Sequence, residues 1–196
     1  MIFSPKAKIQ QGGRYMIGDL IIVDEFYNNA DQVRGVALDS DFSVKGNYPG
    51  ARTTPYLNDS IKDAIQKIIK PLGGSVVFWG TNYSGAFQYT TKDDQSWVHC
   101  DHYNKWAGVC YLTPDAPHSA GTGLFTHKET GLFRKPQDKD LQEKLNADGG
   151  DLDKWELTDI VSNKFNRIIF YRGDLYHRSL DYFGEDKYTG RLFQTF

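Results

Sequence analysis

Apolar residues in the first third of the chain recur at strand and helix spacings in turn. Tyr15–Val23 (YMIGDLIIV) reads as a strand. Val33, Val36 and Ala37 share one face of a helix predicted over about Ala30–Leu38, with Asn29 placed to cap it. Ile61, Ala64, Ile65, Ile68 and Ile69 fall at i, i+4 and i+7 type spacings. They predict a second helix, capped by Asn58 and ended by Pro71 ahead of Gly73-Gly74. Between the helices, Asn47-Tyr-Pro-Gly50 is turn chemistry.

From Ser75 the texture changes. Short segments rich in Val, Ile, Tyr, Phe and Trp alternate with Gly, Asp and Asn turns, predicting strands near 75–80, 85–91, 96–100, 106–112, 122–126, 157–161, 167–171, 175–180 and 190–195. Many short strands at such spacing indicate a β-sandwich or barrel. The charged stretch Lys128–Lys154 interrupts them and holds a predicted helix, Asp138–Asn146, ended by Gly149-Gly150. It reads as an insertion at the rim. One domain over 1–196 is expected, with a strand and helices (1–74) packed on a β core (75–196).

Composition narrows the function classes. The 196 residues suit a sizeable core, and the net charge of −2 offers no basic field for a nucleic acid backbone. No apolar run approaches the ~20 residues of a membrane span. The first residues, MIFSPKAKIQQGG, lack the apolar centre of a signal peptide. Two cysteines, Cys100 and Cys110, without such a signal suggest reduced thiols in a cytoplasmic protein rather than a disulfide.

The segment SWVHCDHYNKW (96–106) places four potential metal ligands in a row, His99 to His102. In an extended chain alternate side chains share a face, so His99 and Asp101 point together while Cys100 and His102 point away. A pair needs a third ligand. His118 lies in a Pro/Asp/Ser-rich turn, which favours a solvated role. His127, at the end of a short strand, and His177, after the turn in RIIFYRGDLYH, both stay open. Two imidazoles and one carboxylate on one face of a metal leave positions free for ligands, the pattern of non-haem Fe(II) oxygenases. The Cys-x9-Cys spacing fits no zinc knuckle. Fourteen residues after His177, Arg191 begins a segment in which Arg191, Phe193 and Thr195 share a face. An inward arginine is costly unless it meets an anion. A dicarboxylate bound bidentately, or a salt bridge to one of the 25 acidic residues, would satisfy it.

Together these residues resemble the Fe(II)/2-oxoglutarate-dependent dioxygenases, and within them the prolyl 4-hydroxylase-like group, over about Phe87–Phe196. His99-x-Asp101, His177 and Arg191 match that family's metal and co-substrate motif in order and approximate spacing. Tyr89, ten residues before His99, matches a pocket tyrosine of the oxygen-sensing prolyl hydroxylases. Tyr111 in Val-Cys-Tyr-Leu matches the tyrosine that bonds the distal 2-oxoglutarate carboxylate. Thr195 matches a threonine four residues past the arginine. Gly121-Thr-Gly-Leu-Phe125 resembles the family's Gly-Gly-x-Leu strand, with threonine in place of one glycine. The gap from His177 to Arg191 exceeds the common value by a few residues, so DYFGEDKYTG is expected to form a longer hairpin.

The resemblance implies a double-stranded β-helix (jelly-roll) core with flanking helices. It implies Fe(II) on His99, Asp101 and His177, and 2-oxoglutarate held by Arg191 with Tyr89, Tyr111 and Thr195. Molecular oxygen would be the second co-substrate, with ascorbate as an auxiliary reductant. The expected reaction is hydroxylation of a C–H bond, foremost in a prolyl residue of a protein or peptide. A free amino acid or other small molecule is the runner-up, and a non-catalytic or zinc-bound jelly-roll binding module is the third reading. Asp101 argues against the halogenating relatives, which lack that carboxylate. The absence of a second arginine after Arg191 argues against nucleic-acid demethylation. Gly46–Pro55 and 128–154 are the expected rim elements, and Arg52 is a candidate substrate contact set against a plain surface role.

Overall fold

The computed structural model describes residues 18–73, 75–101 and 103–196. In chain order the elements are β1 (Leu20–Val23), α1 (Ala30–Asp39), β2 (Ala51–Pro55), α2 (Asp59–Gly73), β3 (Ala86–Thr90), β4 (Trp106–Tyr111), β5 (Thr122–His127), α3 (Lys139–Asp148), β6 (Trp155–Val161), β7 (Ile168–Arg172), β8 (His177–Ser179) and β9 (Arg191–Thr195). They build a six-stranded sheet, β1-β7-β4-β9-β3-β2, and a three-stranded sheet, β6-β5-β8. Every pairing between these strands is antiparallel.

Alternation along the central strands explains the layering. In β7 (IIFYR), Ile168 and Phe170 join a core with Ala37 of α1 and Ile65 and Ile69 of α2. Ile169 and Tyr171 point the other way, into a second core with Tyr111, Phe193 and Val161. The strand carries large buried side chains at four consecutive positions, Ile168 to Tyr171, because both its faces are covered. β4 repeats the pattern, with Cys110 toward the helices and Ala107, Val109 and Tyr111 toward the interior between the sheets. Both cysteines are buried free thiols.

Several expectations hold. α1 and α2 form where the periodicity predicts, and Asn58 Oδ1 accepts from the Ile61 N–H at 2.9 Å. Asn29 precedes α1 without a side-chain cap; its Nδ2 donates to Gln32 Oε1 instead. The predicted first strand survives as β1, and its first three positions, 15–17, fall outside the described residues.

Others do not. Pro71 lies inside α2, which forgoes one helical N–H bond and runs on to Gly73. The segment 75–80 is irregular, with Val77 and Phe78 exposed to solvent. The sheet edge beside β3 is taken by β2, drawn from the stretch expected as a rim loop. Gly50 makes that pairing possible: its φ is +75°, and a Cβ there would lie 1.9 Å from the Tyr89 carbonyl oxygen. The segment 96–100 is extended but forms only a single bridge, His99 to His177. The 128–154 insertion does not stand off at the rim. α3 buries Leu145 in a third core with Phe125, Trp155 and Tyr176. Asp138, read from sequence as the first helical residue, is its N-cap instead, with Oδ1 accepting from the Leu141 N–H at 2.9 Å.

Candidate metal centre

His99 and His177 meet because their backbones pair. The His99 N–H donates to the His177 carbonyl at 3.0 Å, and the His177 N–H returns to the His99 carbonyl at 2.8 Å. Their ring centroids lie 4.5 Å apart. Asp101 is brought in two residues on by its N–H bond to the Gly173 carbonyl. Cys100, between them, turns into the third core. One ligand atom from each of His99, Asp101 and His177 lies within 4.8 Å of the others, and His177 Nε2 is 4.0 Å from Asp101 Oδ2.

The imidazoles are oriented for ligation. His99 Nδ1 is 3.0 Å from the Trp97 carbonyl, and His177 Nδ1 is 2.9 Å from the Leu175 carbonyl. A carbonyl only accepts, so each Nδ1 carries the proton and each Nε2 keeps its lone pair for the shared space. Burial, reinforced by His99 and opposed by Asp101, lowers the His177 pKa to about 4. It is therefore neutral near pH 7, the form that ligates a metal.

The cluster sits in a cavity of about 530 Å³ whose lining includes Arg52, Gln88, Tyr171, Arg191 and Phe193. Arg191 is 2 % exposed. Its Nε donates to the Ala120 carbonyl at 3.1 Å, and Nη2 lies 3.5 Å from the Gly121 carbonyl. The guanidinium carbon stands 4.4 Å from the Phe193 ring centroid and 5.3 Å from that of Tyr111. Among the described residues no carboxylate pairs with it, so the salt bridge weighed from sequence is not formed. Tyr111, fully buried, exchanges a 2.8 Å hydrogen bond with Thr122 Oγ1, and burial pushes its phenol pKa up against the pull of Arg191.

Thr195 lines the same cavity, but its hydroxyl donates to the Tyr83 carbonyl at 2.7 Å. Four residues along the strand, it stands about 13 Å from Arg191. Tyr89 is a correction. It packs on the helix side of β3, edge-to-face with Phe42 at 5.0 Å, in the core that also holds Phe87. Strand alternation gives the cavity side to Gln88 instead.

His127 shares the parity of Phe125, not of Thr122 and Leu124, and so turns from the cavity. It is fully buried between Thr130 Oγ1 (3.1 Å) and Asp148 Oδ2 (3.2 Å). His118 is exposed as expected, and His102 lies outside the described residues. Arg52 is not a free surface residue. It is half-buried, lines the cavity and bonds Gln88. Spacing alone did not reveal Gln88, Tyr171 or Trp97 as cavity residues. For Tyr171 the alternation of IIFYR was the available signal.

The arrangement of the sheets is shared with known proteins. HygX from Streptomyces hygroscopicus, solved with nickel and 2-oxoglutarate bound, superposes with a TM-score of 0.56 at 13% identity, over 91% of this chain and 82% of that one. A prolyl hydroxylase from Trichoplax adhaerens, in complex with a hypoxia inducible factor peptide fragment, gives 0.52 at 13% identity, over 90% and 81%. AviO1 from Streptomyces viridochromogenes Tue57 gives 0.51 at 14% identity, over 90% and 88%. At these identities the likeness is one of fold, and the fold is the double-stranded β-helix of the 2-oxoglutarate-dependent oxygenases. The chain belongs to DUF6445, a family of unknown function whose model matches residues 8–195. A search of curated proteins returned no match. Among the described residues no helix is long and apolar enough to cross a membrane.

Proposed function

We infer that the protein is an Fe(II)- and 2-oxoglutarate-dependent oxygenase that hydroxylates a C–H bond. The observation that carries this is the convergence of His99, Asp101 and His177 beside a buried arginine that no carboxylate among the described residues neutralises. The donor set, two imidazoles and one carboxylate, fits Fe(II) and leaves room for further ligands. The net reaction consumes substrate, 2-oxoglutarate and O₂ and yields hydroxylated substrate, succinate and CO₂.

His99, Asp101 and His177 would hold the metal. When bound, Fe(II) would supply the redox centre at which oxygen is activated and the co-substrate is oxidatively decarboxylated. The carbonyls of Trp97 and Leu175 accept from the two Nδ1 atoms and so aim the Nε2 atoms at the shared space. Arg191 would take the distal carboxylate of 2-oxoglutarate, its fork matching two oxygens. Tyr111 and Thr122 stand beside that guanidinium as neutral hydroxyls. Phe193 and Tyr171 give the cavity apolar walls that exclude water.

Two substrate classes are consistent with the fold. The prolyl residue suggested by the motif resemblance has a counterpart in the peptide-bound Trichoplax structure. A small molecule has one in HygX, which has also been solved with hygromycin B bound (TM-score 0.53, 12% identity). The oxygenase reading is tested by following succinate from 2-oxoglutarate under Fe(II) and oxygen, with and without a metal chelator. Chelator-sensitive turnover is expected. A protein that binds divalent metal but never turns over 2-oxoglutarate with any peptide or amino acid would be a binding module instead.

A further inference from the structure

Three neighbouring strands carry a row of cavity-facing side chains. Arg52 on β2 pairs in register with Gln88 on β3, and Gln88 with Phe193 on β9. Arg191 lies two residues from Phe193 on the same face. The two arginines are thus two strand spacings and two residues apart, roughly 12 Å between Cα atoms. Among the described residues they are the only Lys or Arg in the cavity lining, and Asp101 is its only acid.

We propose that Arg52 anchors a carboxylate of the substrate, so that the substrate is a free amino-acid-like acid or a peptide's C-terminal residue, not a residue inside a chain. This rests on the oxygenase reading, which assigns Asp101 to the metal and Arg191 to 2-oxoglutarate. With those two groups committed, Arg52 is the remaining cavity charge, and among the described residues no carboxylate pairs with it.

The side chain is held in place without being neutralised. Its Nε and Nη2 both donate to Gln88 Oε1, at 2.9 and 2.5 Å, and Gln88 Nε2 is tied to the Pro49 carbonyl at 2.7 Å. The guanidinium lies over the Tyr48 ring, 3.7 Å from its centroid. These contacts fix its plane and leave Nη1 without a hydrogen bond among the described residues. Its burial costs hydration, and only an anion recovers that fully. A carboxylate matches one guanidinium in charge and shape. A phosphate dianion calls for more cations or a cluster of backbone N–H groups, and apart from Arg191 the described lining adds no further Lys or Arg.

The test is calorimetric titration into protein loaded with nickel(II) and 2-oxoglutarate. The probes are the protein amino acids, the carboxamide of each, and tripeptides with free or amidated C-termini. At least one free acid is expected to bind, with its carboxamide weaker by about tenfold or more, the loss of one charge-assisted bond. Arg52→Leu should lose the same factor for the acid and leave 2-oxoglutarate affinity unchanged, which also shows the cavity intact. Arg52→Lys should fall between. Free amino acids and free tripeptide C-termini separate the two sources of carboxylate. The proposal is overturned if acid and carboxamide bind alike, if Arg52→Leu binds the acid like wild type, or if 2-oxoglutarate binds and no carboxylate follows. It is equally overturned if an end-capped peptide proves to be the substrate. If 2-oxoglutarate itself fails to bind the metal-loaded protein, the oxygenase reading fails first and takes this one with it.

Discussion

His99 and His177 are joined by a reciprocal pair of backbone hydrogen bonds, and each ring sets its Nδ1 on the carbonyl two residues upstream in its own segment. The bridge sets their spacing and the carbonyls set their tautomer, so both Nε2 atoms arrive together. Asp101 completes the set from the next inward position of the same extended segment.

Removing Asp101 leaves two imidazoles and no charge to offset a divalent ion. Asp101→Ala should therefore lose more metal affinity than the ten- to hundredfold typical of disturbing a ligand's supporting partner. Nickel(II) titration reads this directly. Full Fe(II)-dependent turnover of 2-oxoglutarate by that variant would remove Asp101 from the ligand set.

Arg191→Lys keeps the charge and loses the fork. A charge-assisted bond to a buried anion is worth about 1.5–3 kcal/mol, so 2-oxoglutarate should bind roughly ten- to a hundredfold more weakly. Arg191→Leu should weaken it further with little loss of fold stability. The carbonyls it leaves keep other donors, Asn163 Nδ2 for Ala120 and the Leu180 N–H for Gly121. A thermal melt beside the titration separates the roles: unchanged affinity with a much lower midpoint would make Arg191 structural.

Gly173 receives the Asp101 N–H, and a Cβ on it would lie 2.2 Å from the Asn104 carbonyl oxygen. Gly173→Ala must push that segment aside, at a cost of about 1–3 kcal/mol for overpacking. Metal affinity should fall with it because Asp101 moves. An alanine variant with wild-type melting and metal binding would show the contact to be soft.

His127 should matter for stability only. His127→Ala empties a fully buried position against Trp155 and removes a partner of Asp148, a loss of about 2 kcal/mol by urea denaturation. Nickel(II) binding should not change, nor should it in the exposed His118→Ala. Metal loss in either variant would reopen the choice of third ligand.

Asp24 bonds Arg167 and Lys164, which hold its carboxyl far below the usual range. The native state therefore binds fewer protons than the unfolded chain near pH 4. The stability this adds is present above the unfolded pKa and is lost as pH falls toward the lower native value. The side chain is 38% exposed, so screening limits the effect to no more than about 1 kcal/mol. Asp24→Asn should be slightly less stable at pH 7 and lose less on acidification from pH 5 to 3. Parallel acid titrations of the two proteins would refute this.

What the sequence determined by itself was local and periodic. The α1 and α2 stripes, the cap at Asn58, and the alternation that separates His99 and Asp101 from Cys100 all depend on residues within a few positions. The motif resemblance then reached across the chain to His177 and Arg191. Tertiary structure decided what depends on pairing between distant segments. Tyr89 stands at the family's distance from His99, yet the register of β3 against β9 turns it to the helices and gives the cavity Gln88. Arg52, a candidate substrate contact set against a plain surface role, was brought into the cavity lining when β2 paired with β3. His127 and His177 both stayed open as third ligands by their positions; strand parity buried one against Trp155 and the bridge to His99 brought in the other. A strand's face flips with a one-residue change of register, and register is set by partners far away in sequence.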